Sequence, residues 1–192
     1  MPLRNRLCSR NFTTSATTDD GCNHGTHVAG TIAADMNNAT GVVGVAPAAS
    51  LLNGKVLDDT GNGFFSDIDR GIQWAADSGA RVINLSLGGT GADPGERAAI
   101  DYAIARGAVV VAAAGNSGQQ GSPAIYPAAF PEVLAVGAVD AHNARAPFSN
   151  VGSYVDVVAP GDNVISTYNG STHSYATGEG TSFAAPYASA AA

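Results

Sequence analysis

Two continuous apolar runs constrain the fold of this chain more than any other feature of its sequence. Residues 108–114 read Ala-Val-Val-Val-Ala-Ala-Ala, and residues 133–139 read Val-Leu-Ala-Val-Gly-Ala-Val. A strand that is apolar at every position is buried on both faces, as the central strands of parallel sheets are. Segments with helical patterns of about a dozen residues separate the apolar strands. This alternation predicts an α/β fold with a mostly parallel sheet and helices on both faces.

The remaining segments extend this pattern. Helices are predicted over 24–35, from Ser66 to the residue before Gly79, and over 94–106, with Gly107 as the stop signal. Further strands are predicted over 51–57, 82–87, 155–158 and 164–166. Residues 1–23 show no clean period and are predicted to form a loop. Ligand sites in such folds collect at the carboxyl ends of strands, where residues 86–89 and 115–116 lie.

Composition disfavours several classes of function. The 192 residues are 45% hydrophobic and only 13% charged, with 24 glycines, which favours one tightly packed domain over disorder. A formal net charge of −7 disfavours a nucleic-acid partner and offers no basic surface to an anionic membrane. No apolar run approaches the roughly 18 residues that a membrane-spanning helix needs.

The two cysteines leave two interpretations open. Cys8 and Cys22 lie on either side of a polar, threonine-rich segment. A disulfide between them would suit an extracellular protein. Two cysteines do not define a disulfide framework, however, and two free thiols are equally compatible with the sequence.

Three separate segments carry the residue types that acyl transfer needs. Ser182 begins a run of small and apolar residues, typical of the first turn of a buried helix, where unpaired N–H groups stabilise a negative oxygen. His24 opens another helix of small residues, and Asn116 follows the apolar run 108–114. They supply a nucleophile, a general base and an amide donor. Taken singly, Ser182 also fits a helix cap and Asn116 a turn.

A second histidine lies close to His24 but does not make a zinc motif. His27 follows three residues later, whereas the His-Glu-x-x-His pattern needs a spacing of four and a glutamate. We predict that His27 is a packed helix residue.

The three segments around His24, Asn116 and Ser182, in this order, resemble the signature segments of the subtilisin-like serine proteases, the subtilases of peptidase family S8. The resemblance runs from about Cys22 to Ala192. It implies a three-layer subtilisin-like α/β fold, incomplete here, with residues 1–192 as a partial catalytic domain. It also implies a serine endopeptidase with Ser182 as nucleophile, His24 as general base, and Asn116 with the Ser182 backbone N–H as oxyanion donors.

The resemblance also implies a peptide-binding cleft. In the family, a strand end pairs with the backbone of the bound peptide, a glycine-rich loop flanks the other side, and small residues wall the pocket for the residue before the cut. Small apolar walls favour an uncharged, fairly large side chain there. The matching positions are Ser86, Leu87, Gly88, Gly61, Asn62, Gly63, Ala113, Ala114 and Gly115.

Calcium is implied by the resemblance and not by the residues themselves. Residues 37–42 resemble the family's calcium loop, with Asn38 as its side-chain ligand. The carbonyls of Pro131 and Val133, with the Asp156 carboxylate, resemble a second cation site. Oxygen ligands suit calcium, which takes about six to eight of them. An asparagine-rich turn and an ordinary surface carboxylate explain the same residues equally well.

One feature of the family is missing. Subtilases place a catalytic aspartate before the histidine, on a strand ending Asp-Ser/Thr-Gly. Only Asp19 and Asp20 precede His24, in a polar segment with no apolar strand before it, and we interpret both as loop carboxylates. We therefore expect a fragment without the first strand and the C-terminal end, which binds peptides better than it cuts them.

The predicted parent protein is a secreted, monomeric endopeptidase that acts on peptides or proteins and has no nucleic-acid or membrane partner. The missing aspartate supports an alternative, a non-catalytic relative that keeps the cleft for binding peptides. The presence of Ser182, His24 and Asn116 together favours the enzyme.

Overall fold

The computed structural model describes residues 6–171 and 173–192 and shows an α/β architecture. Every helix and strand predicted above from periodicity is present, with ends that differ by at most two residues. The helices are α1 (His24–Ala33), α2 (Phe65–Asp77), α3 (Pro94–Ala105) and α4 (Thr181–Ala191), and Gly118–Gln120 forms a 3₁₀ turn. The strands are β1 (Arg6–Asn11), β2 (Leu51–Lys55), β3 (Val82–Leu85), β4 (Val109–Ala113), β5 (Leu134–Val139), β6 (Val157–Pro160), β7 (Val164–Thr167) and β8 (Tyr175–Gly178).

The central sheet explains the continuous apolar runs. It has four parallel strands in the order β3-β4-β5-β6, so β4 and β5 each have a neighbour on both sides. Ala112 of β4 lies opposite Leu85 of β3 and Ala135 of β5. Val111 and Val136 are both 0% exposed. The predicted parallel sheet is therefore confirmed.

Consecutive side chains of β4 enter opposite layers, because side chains alternate along a strand. Val110 belongs to a core cluster with Ile68 of α2 and Ile100 of α3. Val111 belongs to a second cluster with Ala184 of α4. The small residues of α4 let this helix lie directly on β3 to β6, and α1 packs outside it. The result is the three-layer arrangement expected from the sequence.

The prediction that residues 1–23 form a loop is wrong for part of the segment that the structure describes. β1 pairs in parallel with β2, and Ser9 lies opposite Asn53. Polar residues occupy much of β1, so it carries no apolar period. Phe12, buried just after β1, packs its ring 5.8 Å from that of Trp74 in α2. β8, which pairs antiparallel with β7, was also not predicted.

The structure decides one question that the sequence left open. Cys8 and Cys22 are both free thiols, the first exposed and the second half-buried. Within the described residues, the longest helix is α2 with 13 residues, and no helix has both the length and the apolarity needed to cross a bilayer.

Two hydroxyl groups of β7 fix the position of α1. Ser166 donates its Oγ hydrogen to the His27 carbonyl, and Thr167 donates to the Thr26 carbonyl, each at 2.8 Å. The two chains approach so closely that a Cβ added at Gly30 would lie 2.1 Å from Thr167 Oγ1 and 2.5 Å from Ser166 Oγ. Gly30 is therefore required by contact with β7. This contact places the N-terminal end of α1, where His24 lies.

Replacing Gly30 with alanine should lower the free energy of unfolding by about 1–3 kcal/mol, measured by urea denaturation. Helix propensity alone would favour alanine by up to about 1 kcal/mol, but overpacking a filled contact costs more. Gly91→Ala is the matched control, because nothing lies within 4 Å of a Cβ at Gly91. Equal stability of the two variants would contradict this account of the contact.

Candidate active site

A single cleft of about 680 Å³ brings the predicted site residues together. It lies where the carboxyl ends of β3 and β4 meet the N-terminal ends of α1 and α4, as expected for a parallel α/β sheet. The predicted residues that line it are His24, Ser182, Asn116, Ser86, Leu87, Gly88, Gly61, Asn62, Gly63, Ala113 and Gly115.

Ala114 is the exception among the predicted wall residues. It is 0% exposed and does not line the cleft, because side chains alternate along an extended chain and that of Ala114 faces away from that of Ala113. Its carbonyl accepts a hydrogen bond from the Tyr154 hydroxyl at 2.8 Å. Ala114 therefore supports the pocket from behind and is not part of its wall.

Ser182 lies in the first turn of α4, as predicted, and its backbone contacts are unusual. Pro186 stands four residues later inside the helix and has no N–H to donate to the Ser182 carbonyl. The Ser86 hydroxyl donates to that carbonyl instead, at 2.7 Å. In return, the Ser182 hydroxyl donates to the Ser86 carbonyl at 3.3 Å. The end of β3 thus holds the start of α4 by two hydrogen bonds.

Two further polar residues complete this connection, and the sequence analysis did not identify either as a site residue. Asn84 donates from Nδ2 to Ser86 Oγ at 2.9 Å, and Ser189 donates to Asn84 Oδ1 at 2.8 Å. The only signal in the sequence is a polar residue inside an otherwise apolar strand. The chain Ser189, Asn84, Ser86 fixes the direction in which the Ser86 hydroxyl donates, which is toward Ser182.

The orientation of the Asn116 amide follows from its partners. Its Oδ1 accepts from the Thr181 backbone N–H at 2.8 Å and from the Thr181 hydroxyl at 2.9 Å. A backbone N–H only donates, so the oxygen of the amide must face Thr181. The Thr181 hydroxyl also accepts from the Gly115 N–H at 3.0 Å. The amide oxygen is thus occupied, and Nδ2 is left to donate in the cleft that Asn116 and Ser182 both line.

His24 is the first residue of α1 and contacts the side chain that follows Ser182. Its ring lies 5.5 Å, centroid to centroid, from that of Phe183. Burial lowers the pKa of His24, and the negative charge of Asp20 only partly opposes this shift. The imidazole is therefore neutral at pH 7 and able to accept a proton.

His27 has the packing role predicted for it. It is 3% exposed, and its Nε2 lies 3.0 Å from the Val164 carbonyl. A carbonyl only accepts, so Nε2 must carry a hydrogen and cannot bind a metal ion at that atom. Its ring lies 4.3 Å from that of Phe183.

Asp20 holds the N-terminal end of α1 and does not hold the His24 ring. Its Oδ2 accepts from the Thr26 N–H at 2.6 Å, and its Oδ1 accepts from the Cys22 N–H at 3.1 Å. Burial alone would raise the pKa of Asp20, but the hydrogen bonds from Thr26 and Cys22 outweigh it, and the pKa lies below its usual value. The interpretation of Asp20 as a loop carboxylate holds, with the added role of a helix cap.

Glu96 also lines the cleft, and the sequence analysis did not identify it. It is 1% exposed, and its backbone N–H donates to Asp93 Oδ1 at 2.9 Å. Among the described residues, its Oε2 has no hydrogen-bond partner. Burial, reinforced by the charges of Asp69 and Asp93, raises the pKa of Glu96 to about 7. The spacing Asp-Pro-Gly-Glu predicts a helix cap, and nothing in this pattern indicates that Glu96 lies in a cleft.

The residues suggested for calcium have other partners. Asn38 Oδ1 accepts from the Thr40 N–H at 3.2 Å, and Asp156 Oδ2 accepts from the Ala135 N–H at 2.9 Å. No group of three or more His, Cys, Asp or Glu side chains within residues 6–171 and 173–192 is arranged to hold a metal ion. Calcium at Asn38, or at Pro131, Val133 and Asp156, stays a prediction.

Comparison with known proteins agrees with the geometry. A family model described as the subtilase family matches residues 5–192. Subtilisin NAT of Bacillus subtilis subsp. natto is 52% identical over 175 residues, which cover 90% of this chain and 45% of that protein. Subtilisin Savinase of Lederbergia lenta is also 52% identical over 175 residues, covering 91% of this chain and 63% of that protein. The chain thus spans between 45% and 63% of the length of these relatives.

A solved structure matches the fold. The crystal structure of a cold adapted subtilisin-like serine proteinase superposes with a TM-score of 0.85 at 33% sequence identity. The match covers 97% of this chain and 66% of that chain.

Replacing Ser86 with alanine should lower the free energy of unfolding by about 1 kcal/mol, because the Ser182 carbonyl loses its donor. Pro186→Ala supplies a backbone N–H for the same carbonyl. In a double-mutant cycle measured by urea denaturation, Ser86→Ala should therefore cost less when Pro186→Ala is also present.

The control for this cycle is Ser117→Ala, at another serine that lines the cleft. Its effect should be the same with proline or alanine at position 186. Strictly additive losses for Ser86→Ala and Pro186→Ala would show that the two residues do not share the Ser182 carbonyl.

Proposed function

The chain belongs to the subtilase family, and from that premise we propose that its cleft cleaves peptide bonds by acyl transfer to Ser182. One observation carries the proposal. Ser182 lies at a helix N-terminus, beside an Asn116 amide whose oxygen is occupied and whose nitrogen is left to donate. Together these groups form a place for a negative oxygen next to a hydroxyl nucleophile.

The proposed reaction uses three groups of the cleft. The Ser182 hydroxyl leaves its hydrogen bond to the Ser86 carbonyl and attacks the substrate carbonyl carbon, while His24 takes the hydroxyl proton. The carbonyl oxygen becomes an oxyanion that accepts hydrogen bonds from the Ser182 N–H and Asn116 Nδ2. Cleavage of the C–N bond then releases the amine, which receives the proton from His24. Water repeats the sequence on the acyl-enzyme.

The substrate backbone would lie along residues 86–88. Gly88 has no space for a side chain, since a Cβ there would lie 2.7 Å from the Tyr126 carbonyl. Gly89 and Tyr126 exchange two backbone hydrogen bonds at 2.9 and 2.8 Å, which keeps this edge extended. An extended peptide added beside it gains main-chain hydrogen bonds whatever its sequence. Ala113, Gly115 and Ile125 then wall the pocket for the residue before the cut.

The histidine-orienting carboxylate of the family has no counterpart in Asp20, which uses its oxygens on Thr26 and Cys22. In subtilisin, loss of the aspartate alone lowers kcat about 3 × 10⁴-fold, because the histidine is no longer held in the required tautomer. We therefore expect slow turnover from residues 1–192 alone. Reactivity of Ser182 and binding of peptides are more sensitive tests than turnover.

A non-catalytic, peptide-binding protein is the second candidate. The role of Asp20 as a helix cap and the hydrogen bond of the Ser182 hydroxyl to a carbonyl favour it. The presence of the base and the oxyanion donors in the same cleft favours the enzyme. Chemical reactivity of Ser182 separates the two candidates, because only a nucleophile site activates that hydroxyl.

A fluorophosphonate probe should label Ser182, located by mass spectrometry of the digested protein. Ser182→Ala should abolish labelling while leaving the affinity for peptides nearly unchanged. Ser117→Ala, the control at a second serine of the same cleft, should keep the labelling. Peptide binding without any labelling of Ser182 would support the non-catalytic candidate.

Replacing Asn116 with alanine should lower kcat by about 10²–10³ with little change in KM, because its amide acts only once charge develops on the carbonyl oxygen. Asn116→Asp keeps an acceptor for Thr181 but removes the amide donor, so its kcat should fall at least as far as that of Asn116→Ala. Peptide-ester hydrolysis gives both constants. A rise in KM with unchanged kcat would show that Asn116 binds the ground state or only shapes the loop.

A further inference from the structure

The carboxyl group of Glu96 is a buried polar group of the cleft that the proposed reaction does not use. Glu96 is 1% exposed and lines the same cleft as Ser182, and its Oε2 has no hydrogen-bond partner in the described part of the chain. An unsatisfied buried acceptor lowers the stability of the fold. A group that donates hydrogen bonds or carries positive charge would satisfy it.

Two more carboxylates lie beside Glu96. Asp93 caps α3 through the Glu96 N–H, and a Cβ added at Gly95 would lie 2.6 Å from Asp69 Oδ2 and 3.0 Å from Asp93 Oδ1. Burial, and then the charge of Asp93, raises the pKa of Asp69. Asp69 of α2, the N-cap residue Asp93 and Glu96 in the first turn of α3 thus bring three acidic side chains close together.

The neighbouring arginines of these helices have other partners. Arg97 of α3 pairs with Glu132 at 2.6 Å, and Arg70 of α2 pairs with Asp67 at 2.7 Å. The described charges that act on Glu96 are those of Asp69 and Asp93, and both are negative. This end of the cleft therefore has negative potential and an unfilled acceptor.

We propose that Glu96 forms a subsite for a basic side chain, lysine or arginine, of the bound peptide. The inference rests on the proposed function, since it takes the cleft to be a peptide site. The ammonium or guanidinium group would donate to Glu96 Oε2 and supply the positive charge that Asp69 and Asp93 also attract.

Apolar residues next to Glu96 suit the stem of such a side chain. Phe65 and Ile68 from α2 and Leu87 after β3 line the cleft with it. Lysine and arginine bury their methylene stems on apolar surface while the charged group reaches a polar partner. A metal ion fits less well, because no group of three acidic, histidine or cysteine side chains in the described residues is arranged to hold one.

The basic residue would lie upstream of the residue that precedes the cut. The wall for that preceding residue includes Ala113 and Gly115, at the end of β4. Glu96 lies in the first turn of α3, which packs against α2, and it lines the cleft together with Leu87 and Gly88, just after β3. A peptide that follows residues 86–88 away from Ser182 therefore approaches Glu96 with an earlier side chain.

The test is equilibrium binding of short peptides to the protein, measured by isothermal titration calorimetry. Each peptide has phenylalanine immediately before the cut and either lysine or norleucine at one of the three positions that precede it. Norleucine is the comparison residue because it keeps the apolar stem of lysine and lacks the ammonium group. Lysine should bind about tenfold more tightly than norleucine at one of these positions. Glu96→Gln should reduce this preference to less than about twofold, and Glu132→Gln, at the exposed carboxylate paired with Arg97, should keep it.

The pH dependence gives a second readout. Glu96 has a pKa of about 7 in the free protein, and the lysine ammonium favours its ionised form. The ionised fraction rises about tenfold from pH 6 to pH 8, so the preference for lysine over norleucine should rise by about that factor and then level off. Taking the ratio of two peptides cancels effects of His24 and other groups.

Glu96→Gln is expected to remain folded. The pKa of Glu96 is raised by folding, so the protein loses stability as pH rises from the unfolded value of 4.5 through about 7. Glutamine does not ionise and does not suffer this loss. The midpoint of urea denaturation of the Glu96→Gln variant at pH 8 should equal or exceed that of the unchanged protein.

Each outcome decides the proposal separately from the reaction. Equal affinity for lysine and norleucine peptides, or a lysine preference that survives Glu96→Gln, overturns the subsite even if Ser182 is labelled. A lysine preference without labelling of Ser182 supports the subsite and contradicts the reaction. Stabilisation by calcium chloride that is lost in Glu96→Gln would make this a metal site, and absence of peptide binding would overturn the subsite and the peptide cleft together.

Discussion

The missing N–H of Pro186 is the constraint on which the geometry of the site depends. It leaves the Ser182 carbonyl without its helical donor, and the Ser86 hydroxyl takes that place at 2.7 Å. Ser86 is itself directed by Asn84, which accepts from Ser189 on the same helix as Ser182. The hydrogen bond that Pro186 cannot make is thus supplied from the end of β3, so the position of Ser182 is fixed relative to residues 86–88.

This connection works only because α4 lies directly on the sheet. Ala184 and Ala185 are both 0% exposed, and larger side chains would keep the helix from the strand ends. A similar close contact occurs between α1 and β7. Gly30 allows α1 to approach β7, and this contact positions His24 at the start of α1. The small residues that made the sequence look like a packed core therefore also set the distances within the site.

The sequence patterns predicted those helices and strands whose formation depends mainly on residues close to them in the chain. Continuous burial of Val111 and Val136 follows from their apolar neighbours in sequence, and a helix whose first turn contains Ser182 follows from the glycine and small residues around it. β1 could not be predicted, because pairing with β2, far along the chain, stabilises it. Glu96 could not be predicted either, because the spacing that caps α3 says nothing of which way its carboxyl turns once α2 packs beside it.

Burial shifts the pKa of a basic group, His24, and of an acidic group, Glu96, in opposite directions. Burial lowers the pKa of His24 and raises the pKa of Glu96 to about 7, so near neutral pH both are driven toward their uncharged forms. Asp20 limits the first shift, whereas Asp69 and Asp93 increase the second. A bound cationic side chain would favour the ionised form of Glu96, whereas the charges that act on His24 are those of Asp20 and His27. Recognition of charge at one end and proton transfer at the other would then depend on different groups.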